Sequence, residues 1–457
     1  MSTTTSIEKA AIAANRFGLG ARGNELSQAQ SDPKTWLINQ LQPIKFSADL
    51  PSSGELMSGF YDIKQQERML KKSNENEEKS DEIKAINKMR GKHIKNAYST
   101  AVTDTFVQAL NSSNSLSWRL LDFYSNHFSV TTQGAAMGIL AATLEREAIA
   151  PHIHGSFENL LLAVTSHPAM LMYLNNERSF GANSRFGKKK GAGLNENLAR
   201  EILELHTLGV DGGYQQQDVI ELAKGITGWS IGTEKKDGAN GFKFRHFGKE
   251  PGTRVLLGKV YKQKGIKQGI AMLQDLANHP NTANHVCSKL VKHFISDKPN
   301  EKLVAAMVET WKKTGGNLKQ VAITMINNDL AWQPEMAKYK TPREYLMSSL
   351  RALNFKKVDS KKLIFTLTSL GQQPFKAGSP KGYSDEQQDW DGSNALISRI
   401  DWTSMLAQQV RNANAENIMN RTLALNTGAH TYKSVIRAES RTQALMLFFM
   451  SPEFLRR

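Results

Sequence analysis

Between Asn195 and His206 the chain places two amides, three carboxylates, a guanidinium and an imidazole on one expected helix. Few helices need that much polar chemistry for packing alone. Advancing about 100° per residue, Asn197, Glu201 and Glu204 form an i, i+4, i+7 ridge whose side chains can converge. Arg200 stands four residues after Glu196 and four before Glu204, at the spacing of ion pairs with both. Thr207 joins this polar side. Leu198, Ile202, Leu203, Leu205 and Leu208 gather opposite and should pack into the core. Asn195 and His206 fall on or beside the apolar face, where polar groups need hydrogen-bond partners.

Clustered carboxylates repel, so one of them is held protonated unless a cation compensates. Such a cluster serves proton transfer if it is empty and metal binding if an ion fills it. Glu201 and Glu204 are the candidate acid/base pair or metal ligands. Arg200 would tune their charge and Asn197 would orient a substrate. His127, in NHFSV, and His206 are the candidate further ligands of a divalent metal, together with Glu201 and Glu204. The candidate substrate-binding groups are Asn195, Asn175 at the end of MLMYLNNERS, and Arg185 and Lys188. The last two lie in SFGANSRFGKKKGAG, a basic, glycine-rich segment readable as a flap over an anionic substrate or as a plain exposed loop; it lacks the spacing of a Walker phosphate loop. Against all this stands a blander account, a solvated face with i, i+4 pairs. ATLEREAIAPHIHG, with Glu145, Arg146, Glu147, His152 and His154, is a second polar helical segment that weakens it. The remaining histidines, including His279, His285, His293 and His430, read as satisfied core or surface residues.

Helical periodicity dominates the elements that must position these residues. Asp32-Pro33 is a helix start, and helices are expected near 134–150, 156–166, 194–208, 216–227, 266–278, 281–296, 299–314, 317–327, 341–354, 393–409 and 441–449. AVTDTFVQAL and SLSWRLLDFYSNHF read as core helices. Pro51 to Gly59 reads as a loop, and the mixed-charge run from Asp62 to about Asn96 as an exposed helical hairpin or excursion. GFKFRHF and TRVLLGKVY, separated by Pro251-Gly252, suggest a small β-hairpin near 229–260. Residues 371–394 are long for a connection and read as an ordered loop or lid. Gly209 is placed for the left-handed end of the central helix, and Asp211-Gly212-Gly213 for a turn. The fold class expected is mainly α, a multi-helical globular array with that hairpin inserted. An N-terminal helical half (1–230), a hairpin seam (231–262) and a C-terminal helical half (263–457) form one unit, 1–457.

Length and composition fit a soluble globular chain able to bury a large core: 457 residues, 40% hydrophobic. The net charge of +16 favours polyanionic partners such as an anionic polymer or glycan. Aromatics are not interleaved with the basic clusters, which argues against specific nucleic-acid binding. The lone Cys287 cannot form an internal disulfide and reads as a buried thiol. No run approaches the about 18 apolar residues of a membrane span, and the N-terminus lacks the basic and apolar regions of a secretory signal.

NHFSV, HPAMLMYLNN, GLNENLAREILELHTLGVDGGY, ELAKGITGW, EPGTRVLLG, GQQPF and SPEFLRR together resemble the bacterial family called domain of unknown function 1800. The likeness runs in order from about Ala14 to Arg457. It implies a mostly helical fold, periplasmic or exported location, and a sulfatase-like secreted protein as partner; it supplies no activity and no catalytic residue. Lys249 stands where relatives often carry His, Gly382-Tyr383 where they often carry Gly-Trp, and Gln215 where a Thr cap is common. The expectation is a hydrolase-like enzyme acting on an extracellular polymer or glycan through the carboxylate-rich site. The alternative is a non-enzymatic scaffold or assembly and secretion partner, its polar block a buried network that fixes packing. Nucleic-acid binding through charge alone would instead show steep salt dependence.

Overall fold

Helix starts follow local chemistry. Asp32 accepts from the Thr35 N–H at 3.0 Å with Pro33 in the first turn. His167 and His279 cap the helices that begin at Pro168 and Pro280, each Nδ1 accepting from the N–H two residues on. The computed structural model describes residues 5–72, 77–191, 193–232 and 241–457. Residues 73–76 of the charged run, Ala192 of the glycine-rich segment and 233–240 of the hairpin region lie outside the described residues.

The protein is mainly α-helical with a small β insertion. The expected loop at Pro51–Gly59 is helical instead: a helix runs Ser53–Lys72. Ser52 and Glu55 make reciprocal bonds, Glu55 N–H to Ser52 Oγ (3.1 Å) and Ser52 N–H to Glu55 Oε2 (2.7 Å). This capping box, with Leu56, Met57 and Phe60 buried behind it, outweighs the two glycines. The helix packs along Glu77–Asn111 as a helical hairpin, where His93 Nε2 meets the Leu56 carbonyl at 3.0 Å.

The β insertion is two hairpins, not one. Trp229–Ile231 pairs antiparallel with Phe242–Phe244, and Arg254–Leu256 with Lys259–Tyr261. The second turn is Leu257-Gly258, both at positive φ (49° and 76°), the backbone that a two-residue hairpin loop demands. Asp218 Oδ1 accepts from the Leu257 N–H (2.8 Å) and ties this turn to the helix Gln216–Gly225. One cluster of buried side chains extends from Ile12 to Leu455. Cys287 lies within it, burial pushing its thiol up, as the reading of a structural thiol requires.

Candidate active site

The central helix spans Asn197–Glu201 and then widens into a π turn, Ile202–His206. A π turn takes in an extra residue, so the side chains after it lag the 100° progression by about one position. That lag explains two departures from the expected faces. Thr207, expected on the polar side, is fully buried and its hydroxyl donates to the Ile202 carbonyl at 2.6 Å. Leu205 is only half-buried. Leu198, Ile202, Leu203 and Leu208 enter the core as expected, and Gly209 takes φ 87°.

Asn195 precedes the helix and caps it: its Oδ1 accepts from the Asn197 N–H at 2.9 Å. Asn197 itself is exposed. Arg200 pairs with Glu196 (3.3 Å) and donates to Gln216 Oε1 (2.8 Å), while Gln216 Nε2 donates to Glu196 Oε2 (2.7 Å). The ring so formed stitches the central helix to Gln216–Gly225. The ion pair of Arg200 is therefore with Glu196 and not, as the spacing also allowed, with Glu204. Glu201 and Glu204 are half-buried. Burial, then the Glu204 charge, raises Glu201 above the usual carboxylate range, with Arg200 opposing. Tyr214 donates to Glu204 at 3.5 Å.

Asn175 is exposed at φ 55°, a left-handed position that asparagine tolerates. Arg185 and Lys188 are exposed on a short helix, Arg185–Lys190, in the segment read as a flap or loop. That segment is anchored: Glu250 accepts from Asn183 N–H (2.9 Å) and Nδ2 (2.7 Å). His127 and His206 do meet, their rings 6.3 Å apart, with His285 6.1 Å from His127. All three are pushed below the usual imidazole range by burial and then by the Lys289 charge, His206 to about 3 and His285 to about 4. His127 Nε2 is occupied by the His206 carbonyl at 3.1 Å. Among the described residues no three His, Cys, Asp or Glu side chains are grouped to hold a metal ion. Glu201, Glu204, His127 and His206 thus do not fit one metal centre.

A different set of residues surrounds a cavity of about 110 Å³. The helix Ser115–His127 contributes Arg119, Asp122, Ser125 and Asn126, which at i, i+3, i+6 and i+7 share one face. Glu145 comes from a second π turn, Glu145–Ile149, and His293 from the last turn of Pro280–Phe294. Arg343 and Glu344 open the helix Pro342–Ala352, and Tyr383 and Asp385 come from the long connection.

That connection, expected as an ordered loop or lid, is an ordered loop that lines the cavity. Asn126 reads the Tyr383 backbone from both sides, Nδ2 to its carbonyl and Oδ1 from its N–H, each at 2.8 Å. Tyr383 donates to the Gln373 carbonyl (2.6 Å) and Tyr98 to that of Pro374 (2.9 Å). Gly382 is required here: φ is 84°, and a Cβ would lie 2.5 Å from the Asn126 carbonyl oxygen.

The charges around the cavity are compensated unevenly. Arg343 pairs with Asp122 at 2.9 Å. Asp385 Oδ1 meets His293 Nδ1 at 2.7 Å. Burial opposes ionisation of Asp385, but the His293 ring and Lys338 outweigh it and hold the carboxyl at about 2. Burial drives His293 below the imidazole range against the pull of Asp385. The ring is therefore neutral near pH 7, and its Nε2 has no hydrogen-bond partner among the described residues. Glu145 has Arg343 nearby, yet burial prevails and pushes it up to about 7. One cavity thus holds a buried ring nitrogen backed by a carboxylate and a carboxyl that titrates near neutrality, a pairing suited to acid/base work.

Sequence reasoning set His293 aside as an ordinary core histidine, and Arg119 and Asp385 carried no signal beyond their segments. Glu145 stands in a polar helical segment and Asn126 in NHFSV, and nothing in the sequence connects the two. The fold is mainly helical, with a polar cavity lined in part by the long connection. The chain matches the model of a family described as Protein of unknown function (DUF1800) over residues 12–456, and it belongs to that family. No curated protein and no solved structure matches it.

Proposed function

We propose that this protein is a hydrolase-like enzyme acting on an extracellular polymer or glycan, with its chemistry in this cavity. The observation that carries this reading is His293, held at Nδ1 by Asp385 and without a hydrogen-bond partner at Nε2 among the described residues, lining the same cavity as Glu145, which burial pushes up to about 7. In this role Nε2 takes a proton from an attacking water while Glu145 delivers its own proton to the leaving oxygen. The scissile bond breaks, water is added across it, and the His293 proton returns to Glu145 through solvent. The long connection lines one side of the cavity, and in this reading the group cleaved is a terminal unit or a small substituent. The test measures hydrolysis of a panel of chromogenic esters and glycosides by the wild type, His293→Gln and Glu145→Gln. Both variants should lose roughly 10²–10⁴-fold in rate while melting cooperatively. Undiminished turnover in either variant removes that residue from the mechanism.

A second reading, a scaffold or assembly partner, is supported by the ring of Glu196, Arg200 and Gln216, whose polar atoms serve one another across two helices. In that reading Glu196→Gln weakens folding or partner binding, and no substrate is turned over.

A further inference from the structure

Arg119 is 1% exposed and, among the described residues, makes one ion pair, from Nη1 to Glu344. Its Nε and Nη2 have no hydrogen-bond partner among the described residues. These two nitrogens form one edge of the guanidinium, the fork that donates two parallel hydrogen bonds to a carboxylate. Buried donors without acceptors are costly, and a charged pair on one edge more so. The wall around Arg119 holds surplus positive charge. Glu344 is shared with Arg457, whose Nη2 lies 2.8 Å from Oε1. Behind them Lys340 is buried, pushed down to about 7 by desolvation first and then by Arg457, Arg399 and Arg119, with Glu344 opposing. The Phe294 ring, 5.4 Å from the Arg119 guanidinium carbon, covers part of its flat face, but the cavity lies beside it.

We infer that the cavity recognises a carboxylate on its substrate, bound by the Nε/Nη2 edge of Arg119, and that the substrate is an acidic, uronate-like terminal unit. The planar fork can take two oxygens of a carboxylate or of a tetrahedral oxyanion, so sulfate is the competing ligand that the titration must separate. Arg119 then orients the unit while His293 and Glu145 act on the adjoining linkage; Asp122, paired with Arg343, and Asp385, beside the Lys338 charge, leave the incoming anion to Arg119. This substrate assignment rests on the hydrolase reading, but its measurement does not.

Calorimetric titration of the full chain with acetate, sulfate, glucuronate and glucose tests it. Acetate and glucuronate should bind at one saturable site, sulfate more weakly, and glucose not at all. Arg119→Lys, which keeps the charge and loses the fork, should weaken glucuronate by about tenfold or more, the cost of one charge-assisted hydrogen bond. A wild-type crystal soaked in glucuronate, which needs no variant to fold, should place the carboxylate on Arg119 Nε and Nη2. Glucose binding as well as glucuronate, tighter binding of sulfate, or a carboxylate seated elsewhere would overturn the assignment. Carboxylate binding without hydrolysis leaves Arg119 standing and removes the enzyme; hydrolysis without carboxylate binding does the reverse.

Discussion

Replacing Glu145 by Gln removes a charge while keeping the shape, so it separates the two things this side chain does. Its folded pKa, about 7, lies above the ordinary 4.5. Between those values the folded state binds more protons than the unfolded chain, and stability falls as pH rises through that window. The variant escapes this loss. Denaturation at pH 4 should find the two proteins alike, and at pH 8 the variant more stable by up to about 3 kcal/mol; no gain at pH 8 would mean the carboxyl's pKa is not raised by the fold. Asp385→Asn acts one residue away from the chemistry. The amide no longer fixes the His293 ring, and loss of the charge lowers the histidine further. Turnover should drop roughly 10²-fold or more, and the acid limb of the rate profile should move to lower pH, a shift that general loosening would not give.

At the scale of elements, the connection is held at several points, among them Asn126 against Gly382-Tyr383. Gly382→Ala forces a side chain into left-handed backbone and against the Asn126 carbonyl, costing about 1–3 kcal/mol. Hydrolysis should fall further than the lowered melting temperature accounts for, because the loop carrying Asp385 moves; unchanged turnover would show that the connection is not part of the site. Glu201→Gln with Glu204→Gln tests the other polar element. Both side chains are half-buried and repel, so the double variant should keep its stability within about 0.5 kcal/mol and turn over normally, whereas a site on the central helix would lose activity. These contrasts follow from what each element reveals in sequence. Asp32, His167 and His279 announce their helices because a cap acts on its next few residues. The π turn at Ile202–His206 hides Thr207 because a 3.6-residue period has no place for the extra residue. Ser52 with Glu55 was a readable capping box, masked by the glycines that follow it. Arg119, Glu145, His293 and Asp385 each look like core or loop residues in their own segments, and only the packing of distant elements turns them into one site.

The whole molecule carries its positive excess over a core that also buries neutral histidines, and both features set its response to acid. His206 at about 3, and His285 and His154 at about 4, lie below the ordinary 6.5, and His127 is well below it. For each, the unfolded chain binds the proton that the folded state refuses. Their contribution is fully present above pH 6.5 and is lost as pH falls from there toward the folded values, by up to about 1.4 kcal/mol per pH unit for each group. Glu145, between 4.5 and about 7, and Glu201 work in the opposite direction, but the lowered histidines, His293 included, outnumber them. Protonation also adds to a net charge of +16, so self-repulsion grows in the same range. The melting temperature should therefore fall steadily from pH 7 to pH 5, and added salt should recover the repulsive share of that loss by screening. The share owed to burial should not respond to salt. His206→Gln removes one of these groups, and its melting temperature should decline less steeply over the same range. A wild-type melting temperature that stays level or rises on acidification would mean that these imidazoles are not held neutral by the fold.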